Sequence, residues 1–221
     1  MIYSLGLQAT YTHCDVGIFQ DGKLILSAEK DKTLASRELL PLCSALLMEV
    51  EKSLNDISYI AINQGPAPFT TLRTVITTAN GLAYATKIPL VGSDGLALLL
   101  DESLQRYKST QQTPVVVLHA FGNDVYCGYQ QPDNAFFFGC VSLQECIEQL
   151  NKQSSQNYVL VGNGATMHRD LFKESLGDRI VIPEIVQTYA SITALGEHAW
   201  QQWQAKKIHV QVQPLYLKKT L

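Results

Sequence analysis

The sequence predicts an α/β protein of two tandem β-β-β-α-β-α type lobes, the second shorter than the first. Three observations predict it. Short apolar runs of strand length follow one another at the start of the chain, with an Asp21-Gly22 hairpin signal between two of them. A loop containing Gly65, Pro66 and Pro68 then separates an apolar strand from Thr70 to Thr86, a helical segment with no internal proline. Beyond a polar stretch ending at Pro114, three further strand-length runs repeat the opening. That stretch sets the predicted boundary, with lobes at 1–108 and 109–221.

Each element has its own signal. Met1 to Leu7 is a short apolar run, and Tyr11 to Gln20 places Cys14, Val16 and Ile18 on one face. Leu24 to Glu29 alternates as the returning strand of a meander. Ser36 or Thr33 is the expected cap of a helix to about Asn55, with Leu39, Leu40, Cys43, Leu46, Leu47 and Val50 at helical spacing. Pro41 falls early in that helix, where a missing N–H matters least. Ile57 to Ile62 and Leu90 to Ser93 read as strands, and Asp94 to Tyr107 as a helix capped by Ser93 or Asp94. In the second half, strands are predicted at Val115 to Ala120, Asp124 to Gln131, Ala135 to Val141, Tyr158 to Gly162 and Ile180 to Ile182. Helices are predicted from Ser142, from Gly164 to Leu176, and at Ser191 to Lys207. Three strands, a helix, a strand, a helix and a strand is the order of the ribonuclease H-like half-domain of the actin-like (ASKHA) superfamily.

Composition excludes several function classes. The chain has 221 residues, an apolar fraction of 46%, 17% charged residues and a net charge of −3. A protein that grips nucleic acid by itself carries a basic footprint, so any RNA connection is expected to run through a partner. The five cysteines form no C-x-x-C pair and are read as buried, reduced thiols. Met1 to Ser4 leads straight into a strand pattern, with no basic leader and no long apolar run, so the expectation is a cytoplasmic protein with no membrane span.

A strand, a tight loop and a helix N-terminus form the usual frame of an anion site. Here the loop has one glycine, Gly65, and two prolines that donate nothing, and it matches neither of the common phosphate-loop patterns. Thr70 and Thr71 are expected to cap the helix. The first strand of the actin-like superfamily ends in an aspartate that helps hold a nucleotide's metal, whereas this one reaches Gln8, a neutral and poor ligand for a hard ion. Gln8 is read as a solvent-facing strand end and Asp15 as pointing outward. If a nucleotide bound, Gln8, Gly65, Thr70 and Arg73 are the residues it would use; the expectation is that none does and that no catalytic or metal-ligating residue is present. His13-Cys14-Asp15 is discounted as a catalytic set, because consecutive strand residues point to alternate faces. Gly162-Asn163-Gly164 is read as a turn.

The run Gly65-Pro66-Ala67-Pro68-Phe69-Thr70-Thr71-Leu72-Arg73, followed by Ala79-Asn80-Gly81-Leu82-Ala83, resembles the central signature of the TsaB (YeaZ) family of tRNA threonylcarbamoyladenosine biosynthesis proteins. Ile88 to Ser93, Asn123-Asp124-Val125-Tyr126 and the ending Pro214-Leu215-Tyr216-Leu217-Lys218 are similar to further family motifs. The chain departs from the pattern at Gln8-Ala9-Thr10, Ala35-Ser36, Ala67, Pro68, Thr71 and His119-Ala120-Phe121, and most of these changes remove a donor, a charge or a glycine.

The resemblance implies a non-catalytic adaptor. Its partner would be the homologue TsaD, which forms threonylcarbamoyladenosine (t6A) at position 37 of tRNAs reading ANN codons. It also implies ATP/ADP and metal on TsaD rather than on this chain, a homodimer when alone, a TsaE-like ATPase in the complex, and only indirect contact with tRNA. The first long helix and Thr70–Thr86 would form the shared surface, through Leu40, Cys43, Leu47, Thr74, Thr77, Thr78, Gly81 and Ala85. Small residues in such a stripe let another helix approach closely. The rival readings are an actin-like enzyme (an ATP-dependent small-molecule kinase or a glycoprotease-like peptidase) and a self-associating structural domain.

Overall fold

Strands form where aliphatic and β-branched residues run together, and helices where apolar residues recur at three and four. The computed structural model, which describes residues 1–153 and 156–217, follows this pattern. The chain runs through β1 (Tyr3–Ala9), β2 (His13–Gln20), β3 (Lys23–Asp31), α1 (Ala35–Glu49), β4 (Ile57–Asn63), α2 (Phe69–Thr86), β5 (Leu90–Ser93) and α3 (Gly95–Arg106). It continues through β6 (Gln112–His119), β7 (Asp124–Gln130), β8 (Phe136–Ser142), α4 (Leu143–Lys152), β9 (Asn157–Val161), α5 (Asn163–Met167), α6 (Arg169–Leu176), β10 (Ile180–Val181) and α7 (Ile192–Gln204). Lys218, the last residue of the expected terminal motif, lies outside the described residues.

The two sheets have the same strand order. One is β3-β2-β1-β4-β5 and the other, read from its far edge, is β8-β7-β6-β9-β10. In each, the first strand is antiparallel to the second and parallel to the fourth. The chain divides into one unit of Met1–Leu98 with Ser191–Leu215 and a second built on Leu99–Ala190. A single cut at 108/109 is therefore not how the chain divides, because α7 returns to the first sheet and packs against β1 to β5.

That return has a physical cause. In the first unit β1 and β2 are buried along most of their length, so the sheet needs cover on both faces. Leu5, Leu7, Cys14, Val16, Ile18, Ile60 and Ile62 pack with α1 and α2 in one aliphatic core. The intervening residues face α7, where Trp203 stacks on Tyr59 with ring centroids 4.9 Å apart. Phe19 is buried there between glycines: a Cβ on Gly6 would lie 2.6 Å from its ring and one on Gly17 2.9 Å, while one on Gly196 of α7 would overlap it. In the second unit Val115, Val117, Cys127, Leu160 and Phe172 form the corresponding core.

Several local expectations change. Asp21 and Gly22 both have positive φ, as a two-residue hairpin turn requires, and Asp94, Ser142 and Ser191 cap their helices. Neither Thr33 nor Ser36 caps α1, whose N-cap is Leu34 without a side-chain bond; the nearby carboxylate of Asp31 instead accepts from the Thr33 N–H. Helix α1 ends at Glu49 rather than near Asn55, and a turn at His168 splits the helix expected from Gly164 to Leu176. Among the described residues no helix is long and apolar enough to cross a membrane. Four cysteines are buried and Cys140 is half-buried; burial pushes the Cys14 thiol up to about 11 and that of Cys43 to about 12.

The seat of α7 gives a test with a definite sign. Helix propensity alone would make Gly196→Ala stabilising by about 1 kcal/mol. The overlap with the Phe19 ring predicts the opposite, a loss of about 1–3 kcal/mol in urea denaturation of the full chain.

Candidate functional site

The carboxyl ends of β1 and β4 carry a buried chain of polar side chains on the α7 face of the sheet. The Gly65 N–H donates to Asn63 Oδ1 at 2.9 Å, and Asn63 Nδ2 donates to Gln8 Oε1 at 2.9 Å. Gln8 Nε2 donates to Asp15 Oδ2 at 2.9 Å, and Asp15 Oδ1 lies 3.0 Å from His13 Nε2. His13 Nε2 is also 3.3 Å from Glu29 Oε2, and its Nδ1 is 2.8 Å from Thr12 Oγ1. Both ends of the Gln8 amide are thus used within the fold. Burial pushes the Asp15 carboxyl above the usual carboxylate range, while His13 and the Gln8 hydrogen bond pull it back down.

Two expectations fail here for one reason. Gln8 is 0% exposed and Asp15 7%, not solvent-facing, because α7 covers the face that alternation assigned to water. His13 and Cys14 do point apart, but His13 and Asp15 are two residues apart on β2 and converge. Strand register adds Glu29, which sits directly opposite Asp15. A two-residue turn at Asp21-Gly22 with unbroken pairing would set Ala28 there; a bulge at Ile18/Phe19 shifts the pairing by one and brings Glu29 round. An H-x-D pair on a strand was the available signal, but the bulge could not be read from the sequence.

The loop after β4 is an elbow held by the chain's own groups. Gly65 has φ +105, and a Cβ there would lie 2.8 Å from Leu72. Its N–H is taken by Asn63, and its carbonyl accepts from the Gly95 N–H at 2.8 Å. The C-terminal segment straps the elbow: Leu215 N donates to Gln64 O, Gln64 Nε2 to Gln213 O, and Asn80 exchanges two hydrogen bonds with Val212. Pro68, without a side-chain bond, is the N-cap of α2, so neither Thr70 nor Thr71 caps it; Thr71 is buried and the Thr70 carbonyl accepts from Thr74 Oγ1. Arg73 lies over the Phe69 ring at 4.1 Å. Gln8 and Gly65 are therefore joined through Asn63, while Thr70 and Arg73 line a separate open groove of about 500 Å³ with Ser36, Phe69, Thr74, Thr77 and Thr78. Where a nucleotide-bound metal would need a carboxylate, this strand end presents a neutral amide engaged at both ends, a weaker ligand for a hard ion.

The expected partner surface divides in two. Cys43 and Leu47 are each 3% exposed and belong to the aliphatic core, so α1 turns them inward and no partner reaches them. Leu40, Thr77, Gly81 and Ala85 are exposed, with Thr74 and Thr78 half-buried beside them. Sequence reasoning missed Tyr84, an apolar side chain 80% exposed on the same helix. Apart from its chain neighbours and the adjoining backbone of its own helix, Gly81 has no atom of the described residues within 4 Å of where a Cβ would lie.

Strand order and two-sided cover define an actin-like α/β fold, here with the amide of Gln8 at the first strand end. A family model described as TsaD, tRNA N6-adenosine threonylcarbamoyltransferase, matches residues 33–220, and the chain belongs to that family, as a divergent member of its TsaB (YeaZ) branch. Among curated relatives, the tRNA threonylcarbamoyladenosine biosynthesis protein TsaB of Buchnera aphidicola subsp. Schizaphis graminum is 27% identical over 165 residues, 72% of this chain and 78% of that one. TsaB of Escherichia coli is 26% identical over 175 residues, 77% and 75% of the two chains. In fold, the chain is similar to YeaZ from Pseudomonas aeruginosa, with a TM-score of 0.75, 22% identity and 98% and 100% of the two chains covered.

The closed network has a measurable cost of opening. Gln8→Leu strands Asp15 Oδ2 and the Asn63 amide, and each stranded buried group costs about 1–3 kcal/mol. Gln8→Asp also destabilises at neutral pH, because it sets a second buried carboxylate in register with Asp15. Thermal or urea denaturation of both variants against the native chain checks this.

Proposed function

We propose that this chain is a non-catalytic adaptor of a TsaD homologue in forming t6A on tRNA, and that it acts through the outer face of α1 and α2. The observation that carries the proposal is Gly81. Glycine inside a helix costs roughly 0.5–1 kcal/mol relative to alanine. Among the described residues nothing makes use of the missing Cβ, since the space around it is open. An unpartnered helix gains nothing from such a residue, whereas a helix that another must approach closely does. Leu40, Phe69 and Tyr84 leave apolar area exposed on the same two helices, and removing it from water is the natural driving force for association.

The closed amide network at Gln8 favours the adaptor reading over an enzymatic one. The nucleotide and the metal that accompanies it belong on the partner, and a TsaE-like ATPase completes the assembly. The same face serves a homodimer when the chain is alone. With a net charge of −3, tRNA is reached through the partner and not gripped directly.

The test separates fold from function. Gly81→Ala stabilises the monomeric chain by about 0.5–1 kcal/mol, because within one chain the helix gains and nothing clashes. Gly81→Leu leaves the chain folded but lowers t6A formation at least tenfold when the TsaD homologue and TsaE-like ATPase of the same organism are reconstituted with tRNA. Full modification without this chain, or with the Gly81→Leu variant, overturns the proposal.

A further inference from the structure

His13, Asp15 and Glu29 lie outside the proposed adaptor surface and have no part in it. We infer that these three side chains form a binding site for one divalent transition-metal ion, of which Zn2+ is the natural probe. The ligand atoms are His13 Nε2, one carboxylate oxygen of Asp15 and one of Glu29, all within 4.8 Å of one another. Ligands about 2.0–2.1 Å from an ion stand roughly 2.9 Å apart in an octahedron and roughly 3.4 Å apart in a tetrahedron. The observed separations of 3.0 Å and 3.3 Å from the imidazole nitrogen to the two carboxylate oxygens fall in that range.

The second set of observations concerns what stands behind the ligands. Metal-bound histidines engage their other ring nitrogen with an orienting partner, and metal-bound carboxylates are themselves hydrogen-bonded. His13 Nδ1 has the Thr12 hydroxyl at 2.8 Å, which turns Nε2 toward the carboxylates. Asp15 receives the Gln8 amide on Oδ2, and the buried Asn63 fixes that amide in turn, leaving Oδ1 aimed at His13. Of the nearby charges, Lys32 Nζ donates to the Tyr11 carbonyl and Lys30 pairs with Glu38, while Asp31, opposite His13 across the β2–β3 pair, accepts from Thr33 and adds negative charge beside the imidazole. An imidazole with two carboxylates selects a transition metal over Mg2+ or Ca2+, which take oxygen ligands alone.

The position of the site gives it a role. His13 and Asp15 lie on β2, Glu29 on β3, and Gln8 ties Asp15 to β1. A bound ion staples the edge strand β3 to the strand end at Gln8 and holds the bulged register that brings Glu29 opposite Asp15. Glu29, the most exposed of the three, is the ligand through which the ion enters, and water completes the coordination.

The experiment is equilibrium dialysis of the full, untagged chain under reducing conditions against Zn2+ and, separately, Mg2+, followed by thermal denaturation. The expected result is about one Zn2+ per chain, not displaced by excess Mg2+, with a higher melting temperature when loaded. Glu29→Gln, at a largely exposed position, and His13→Asn each weaken Zn2+ binding at least tenfold and abolish the shift. Absence of stoichiometric Zn2+ binding overturns the site and leaves a histidine clamped between two carboxylates. Unchanged Zn2+ binding in the Glu29→Gln and His13→Asn variants also overturns it, since the ion would then sit on other groups.

Discussion

The hydrogen bonds at Gln8 tie three strands together: its own β1, β2 through Asp15, and β4 through Asn63, which in turn holds the Gly65 N–H of the elbow. A buried polar chain is tolerable only when every member has a partner, and once satisfied it fixes geometry more strictly than apolar packing does. The elbow's starting direction therefore depends on a glutamine at the end of the first strand. The elbow sets where α2 begins, and the C-terminal strap at Gln64 and Asn80 holds it from the other side.

Helix α7 makes this arrangement possible. A sheet wet on one face would give Gln8 and Asp15 to solvent, where their hydrogen bonds would compete with water. Covered by α7, with Phe19 seated among Gly6, Gly17 and Gly196, the same residues lie in a medium where each bond counts for more and each missing bond costs more. The last helix of the chain thus belongs energetically to the first sheet, and the polar chain at the strand ends is part of a folded core.

Most of the fold is legible in the sequence because it rests on local rules: aliphatic runs, the Asp21-Gly22 turn, and the caps at Asp94 and Ser142. The aspects that are not legible depend on distant partners. Alternation along β2 points Asp15 at water unless one knows that α7 comes back to cover it. The pairing of Glu29 with Asp15 depends on a bulge that no residue type announces. At helical spacing Leu40, Cys43 and Leu47 look alike, and only the packed structure sends two of them into the core and leaves the first outside. Gly81 reads from sequence as one small residue in a stripe; the open space beside it is what distinguishes it.

The central claim is that this chain works through the outer face of α2 while its own strand end stays closed. Hydrogen exchange of the full chain, alone, with magnesium–ATP and with the TsaD homologue, tests both halves together. The account predicts that magnesium–ATP alone leaves exchange at β1, β4 and the elbow unchanged, while the homologue slows exchange along α2 around Thr77, Gly81 and Ala85. Protection at Gln8 and Gly65 by magnesium–ATP alone, with α2 unaffected by the homologue, would contradict it.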